Sequence, residues 1–98
     1  MLTFDEHLKE MLKDPEFKEA YEQELELLEF SIKLQKERKK AGLSQKELAE
    51  AAHLTQQQVS KVENGANCNI MTYLKASHAI GLRLRLSRPS RRAQLARA

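Results

Sequence analysis

The chain has 98 residues, a formal net charge of +3, one cysteine and no tryptophan, and 41% of it is hydrophobic. That length holds one compact domain with an appendage, and three glycines and two prolines amid long helix-forming runs favour an all-α protein with a mostly aliphatic core. The lone Cys68 excludes an intrachain disulfide and has no neighbours at metal-ligand spacing; Asp5, Glu6 and Glu10 stand where a signal peptide is basic and then apolar, and no apolar run approaches the roughly twenty residues of a membrane span.

Those features lead to the expectation of a cytoplasmic protein that needs no membrane, metal or cofactor. The small net charge conceals a segregation. Residues 1–30 hold ten acidic residues against Lys9, Lys13 and Lys18, giving −7, and residues 31–98 hold fourteen Lys and Arg against Glu37, Glu47, Glu50 and Glu63, giving +10. Such asymmetry suggests two partners of opposite charge, one for each half. The plainer alternative is an acidic helix face that keeps the protein soluble.

In chain order, Thr3 and Glu6 have the spacing of a capping box, and Phe4, Leu8, Met11 and Leu12 fall on one face of a short helix. Asp14-Pro15 stops that helix and starts the next, with Asp14 as cap and Pro15 at the first helical position. No breaker follows before about Lys40. Phe17, Tyr21, Leu25, Leu28 and Ile32 make one apolar stripe along this helix, and Leu27, Phe30 and Leu34 make a second. Two stripes need two surfaces: the lower end packs in a core, and the upper end, near Phe17 and Tyr21, stays bare until a partner arrives. Lys39, Lys40 and Gly42 close the helix.

Ser44 and Glu47 form another capping box, followed by a short helix whose face is Leu48, Ala49 and Ala52. His53-Leu54 is a tight connection. Thr55 caps the next helix, with Gln58 at the reciprocal position, and that helix runs to about Asn64-Gly65. Asn67 or Asn69 caps a last helix carrying Ile70, Leu74 and Ile80 and ended by Gly81. The period then changes. "LRLRLS", Leu82 to Ser87, alternates as a half-buried strand does. With no second strand in the chain, the expected partner is the same strand of another copy, joined through Leu82, Leu84 and Leu86 with Arg83 and Arg85 outward. The alternative is an amphipathic tail on the last helix. Pro89 ends the strand, and residues 88–98 form a basic tail.

Two short capped helices joined tightly and packed by small residues describe a helix-turn-helix. "LSQKELAEAAHLTQQQVSKVENG" resembles the Xre-type helix-turn-helix of phage Cro and repressor proteins, through Leu48-Ala49, the Thr55-Gln56 start, Val59-Ser60 and Glu63-Asn64-Gly65. The resemblance implies a five-helix domain over roughly 31–81 and makes Thr55 to Asn64 a recognition helix. One position departs from the pattern: His53 stands where the family has a glycine at positive φ, and histidine is among the residues moderately tolerated there. A glutamine amide donates and accepts together, which matches adenine in the major groove. Gln56 and Gln57 are the better candidates for base edges, capping competes for Gln58, and Ser60 and Lys61 reach bases or phosphates. By the resemblance, Gln45 and Asn64 contact phosphates.

"DPEFKEAYEQELELLEFSIKLQKERKKAGLSQKELAE", together with "AIGLRLRLS", is similar to antitoxins of the HigA type, which carry an N-terminal extension before the same domain. That resemblance implies an antitoxin that neutralises a small basic RelE-like ribonuclease toxin and, as a homodimer, represses its own operon at a palindromic operator. The acidic arm, residues 1–30, would hold the toxin through Phe4, Leu8, Leu12, Phe17 and Tyr21, with Glu16, Glu19 and Glu22 at the rim. Residues 31–87 would bind DNA and dimerise. The alternative is a stand-alone Xre-type repressor of a phage or metabolic operon with no toxin. His7, His53 and His78 have no partner at catalytic spacing, and no phosphate loop or nucleophile motif appears, so no enzyme activity is expected.

Overall fold

Each helix start is set by one side chain that accepts a backbone N–H. The computed structural model describes residues 3–88. It contains α1 (Phe4–Met11), α2 (Pro15–Lys40), α3 (Gln45–Ala52), α4 (Gln56–Glu63) and α5 (Ile70–Ala79). Thr3, Ser44 and Thr55 close reciprocal capping boxes with Glu6, Glu47 and Gln58, and Asp14 caps α2 ahead of Pro15. Of the two asparagines before α5, Asn69 is the cap, its Oδ1 accepting from the Met71 N–H at 2.8 Å. Each such cap stabilises its helix by about 1 kcal/mol. The all-α expectation holds, with one of the five helices in the arm and the remaining four forming the bundle from α2 onward.

The helix ends are as regular as the starts. After α4, Ala66 N–H donates to the Lys61 carbonyl at 3.0 Å and Gly65 N–H to that of Val62 at 3.2 Å. This six-to-one plus five-to-two pairing is a Schellman closure, and it needs one residue in the left-handed region. Gly65 supplies it at φ +70. The same pairing closes α2, α5 and α3, and at α3 the left-handed residue is His53, at φ 59 and ψ 42. The sequence departure therefore keeps the geometry and carries a backbone cost of about 1 kcal/mol.

The core lies among α2, α3, α4 and α5. Leu34, Val62, Tyr73 and Ala76 form one buried cluster, and Leu48, Ala49 and Val59 form another. Leu54 and Ile80 pack against both and join them. Full burial of a leucine or valine side chain contributes about 1.5–3 kcal/mol. The second α2 stripe behaves as expected: Leu34 is buried, and Leu27 and Phe30 pack on the first cluster. Phe30 meets Tyr73 edge to face, with ring centroids 5.2 Å apart. The Tyr73 hydroxyl donates to the Ala66 carbonyl, and burial raises its pKa above the ordinary tyrosine range, with Cys68 adding to the effect.

Three details refine the expectations. In α5 the inward face is Tyr73, Ala76 and Ser77, whereas Ile70 is 65% exposed and Leu74 and Ile80 are half-buried. Ala76 packs with Leu34, Val62 and Tyr73, while Ala79 and Ile80 at the end of α5 meet the cluster of Leu48 and Ala49, so the fit to these neighbours selects the face ahead of apolar bulk. Second, residues 82–88 form no strand within the chain. No other strand exists among the described residues to pair with, and of the three leucines only Leu82 is half-buried, whereas Leu84 is 38% and Leu86 105% exposed. Leu82 packs on the first cluster, and Leu84 and Leu86 line an open groove of about 450 Å³ with Leu27, Phe30 and Tyr73. Third, α2 runs unbroken to Lys40, as the absence of a breaker leads one to expect, and so carries the arm into the bundle across residues 30 and 31. Pro89 and the rest of the basic tail lie outside the described residues.

Candidate nucleic-acid interface

Helix α4 is positioned by its buried side, Val59, Val62 and Glu63. At 100° per residue, Gln57 and Lys61 fall opposite that side, with Gln56 and Ser60 on one flank. Gln56, Gln57 and Lys61 are exposed and Ser60 is half-buried. The amides of Gln56 and Gln57 make no hydrogen bond within the described residues, so each keeps a donor and an acceptor for an outside group. Gln58 differs. Its Oε1 accepts the Thr55 N–H at 2.8 Å while its own N–H donates to the Thr55 hydroxyl at 3.1 Å. The box commits its carbonyl oxygen and fixes the first turn of α4.

The far end of α4 is tied down by a buried ion pair. Glu63 accepts from Arg38 twice, at 2.6 Å from Nε and 3.1 Å from Nη2, and both side chains are nearly fully buried. A two-point fork of this kind between charged groups is shorter and stronger than a neutral hydrogen bond. Arg38 Nη1 also donates to the Leu43 carbonyl at 2.7 Å. Gln45, the first residue of α3, donates from Nε2 to Glu63 Oε1 at 3.2 Å. One carboxylate thus holds together α2, the start of α3 and the end of α4. The signal was present in the spacing: Leu27, Ser31, Leu34 and Arg38 follow one helical line, which puts Arg38 on the buried side. Asn64, at the α4 C-terminus, is exposed and its amide lies 3.4 Å from the Ser60 hydroxyl. Thr55, Gln56, Gln57, Ser60, Lys61 and Asn64 therefore all belong to α4 or its two ends, and Gln45 is drawn to them through Glu63.

The residues expected to hold a protein partner lie elsewhere. Phe4 is 80% exposed and α1 has no buried residue. Leu8 and Leu12 are half-buried, and Glu16 and Glu19 are exposed. Phe17 and Tyr21 stack on each other with centroids 6.1 Å apart, both half-buried, as is Glu22. Among the described residues no group of three or more His, Cys, Asp or Glu could hold a metal ion, and no helix is long and apolar enough to cross a membrane.

The arrangement is that of two short helices crossing at a tight turn, the second presenting its amides outward. A helix-turn-helix family model matches residues 34–86. The match covers more than half of the chain, and the chain belongs to that family, here of the Xre type. It is a DNA-binding transcriptional regulator. No curated protein and no solved structure matches it.

Proposed function

We propose that this regulator is the antitoxin of a toxin–antitoxin pair of the HigA type, which binds a small basic RelE-like ribonuclease through its arm and represses its own operon as a homodimer. The observation that carries the reading is the arm itself. It bears −7 of charge over residues 1–30, exposes Phe4, and gives the bundle nothing from α1 to bury. A ribonuclease that grips RNA phosphates has a positive surface, and an acidic helix pair complements it. Phe4, Leu8, Leu12, Phe17 and Tyr21 would supply the buried contacts, and Glu16, Glu19 and Glu22 the steering charge.

On the DNA side, Gln56 and Gln57 read base edges, because their amides are free to pair with both adenine groups. Gln58 completes the capping box of Thr55. Thr55, Ser60, Lys61, Gln45 and Asn64 contact phosphate, with Gln45 held in place by Glu63.

The test is to look for a small basic protein encoded beside this chain and to co-express the two. Phe4→Asp combined with Leu8→Asp, both on α1, is expected to abolish growth rescue and co-purification while operator binding persists. Deleting the arm outright is a cleaner control if the cut precedes Leu27, because Leu27 and Phe30 pack on the core. A doubly substituted protein that still rescues growth would move the contact onto the bundle. A wild-type protein that neutralises no such ribonuclease would leave the stand-alone repressor.

A further inference from the structure

The three glutamines of α4 are alike in sequence and unlike in structure. Gln56 and Gln57 keep both halves of their amides for an outside group, whereas the Gln58 Oε1 accepts the Thr55 N–H at 2.8 Å. That bond also fixes which way round the amide sits, because a backbone N–H only donates and so faces the oxygen. The Gln58 Nε2 makes no hydrogen bond among the described residues, and the residue is exposed. Gln58 therefore turns its acceptor to the backbone and presents two N–H donors outward.

The box also moves the amide along the helix. Gln58 is the third residue of α4, and its side chain folds back so that the amide lies at Thr55, the N-cap. In a helix-turn-helix, the N-terminal end of the recognition helix is the part that meets base edges.

We propose that Gln58 reads a guanine in the major groove, and that the capping box sets this preference by holding the amide nitrogen outward. Adenine presents a donor and an acceptor, N6 and N7, and Gln58 matches both only by turning its amide and giving up the Thr55 N–H. Cytosine presents a donor, which two N–H groups oppose. Thymine offers one acceptor beside a methyl group. Guanine offers N7 and O6 side by side, and these take two hydrogen bonds from one nitrogen, as they do from a lysine. A phosphate is an acceptor too, but it lines the groove wall, whereas the folded side chain holds the amide at the end that meets the bases. A run of three glutamines thus reads two different kinds of base.

Glutamate separates the two tasks of this side chain: a carboxylate accepts the Thr55 N–H and closes the same box, but it donates nothing. The measurement is selection from random duplex DNA, followed by competition titration, on the full chain with no second protein. The wild type should enrich a guanine. Gln58→Glu should enrich cytosine at that position, because a carboxylate accepts from N4, and should bind the guanine site about 10- to 100-fold more weakly at an undiminished thermal midpoint. Gln58→Ala should lose the preference without gaining cytosine, and its midpoint should fall because the Thr55 N–H is left unpaired. A Gln58→Glu protein that keeps guanine would overturn the inference. So would an equal loss on every sequence, the signature of a phosphate contact, or an adenine or thymine at the position that Gln58→Ala relaxes. A wild type that selects no sequence would overturn it together with the base-reading role of Gln56 and Gln57, on which it rests.

Discussion

Residues 3–26 form α1 and the first half of α2 without burying one side chain, whereas residues 27–82 bury twelve. Both regions have well-made caps, Thr3 with Glu6 and Asp14 in the arm, Ser44 with Glu47 and Thr55 with Gln58 in the bundle. Capping thus sets where helices begin in both, and only the bundle adds tertiary burial. An isolated eight-residue helix such as α1 is marginal in water even when capped. Its apolar face contributes free energy only when another surface arrives. The bundle spends its apolar residues on its own fold and presents polar amides, while the arm withholds its apolar residues and surrounds them with charge.

The largest test of this contrast lies at the ion pairs. Glu63→Ala leaves the Arg38 guanidinium buried without its partner and should cost about 3–5 kcal/mol in urea unfolding. The Lys13–Glu10 pair of the arm, at 2.9 Å but mostly exposed, should change stability by less than about 0.5 kcal/mol when Glu10 becomes Ala. Equal losses would mean that the arm has an interior of its own.

Next comes DNA. Gln57→Ala should cost about 1–3 kcal/mol on the preferred operator and relax the preference at one base position. Lys61→Ala should weaken all sequences alike and lower the salt slope by about one unit. Unchanged operator preference in Gln57→Ala, read by competition titration, would remove that residue from base reading. A smaller effect is expected at the turn. His53→Gly should raise stability by about 1 kcal/mol by relieving the left-handed backbone, partly offset by the looser unfolded chain. A lower thermal midpoint would show that the imidazole makes a contact worth more than the strain.

The smallest effect concerns pH. The Ser44 backbone N–H holds the Glu47 carboxyl below the ordinary carboxylate range, with the Ser44 side chain assisting. A depressed pKa means that the contribution is present above the unfolded value and is lost as pH falls through the folded one. Glu47→Gln should therefore lower neutral stability slightly and flatten the acid limb of the stability–pH curve by the same small amount. A steeper acid limb in the variant would contradict the assignment.

The sequence makes legible whatever depends on neighbours in the chain. Each cap, the helix-turn-helix and the left-handed residue at His53 are local events. It is less informative where two distant segments choose each other. Arg38 sits among Lys36, Lys39 and Lys40 and reads as part of a basic helix end. Only its register with Leu27 and Leu34 betrays the buried line, and nothing local names Glu63 as its partner. In α5 the bulky Ile70 suggests an inward face, yet Tyr73 and Ala76 pack on Leu34 and Val62 and leave Ile70 exposed. At Leu82 to Leu86 the alternation is real. It forms no strand within the chain, because a strand needs a partner that one chain does not contain, and Leu86 stays fully exposed.

The unbroken run of α2 from Pro15 to Lys40 fixes a phase between the two regions. A residue inserted between Tyr21 and Leu27 would turn Phe17, Tyr21 and all of α1 by about 100° relative to the bundle and push them outward by about 1.5 Å. Seven inserted residues would bring them back to within about 20° of the original side, displaced by roughly 10 Å. Length changes in this helix therefore act like the tooth of a gear rather than like slack in a linker. The arm can be lengthened only in steps that keep its side chains on the same side of the molecule as before.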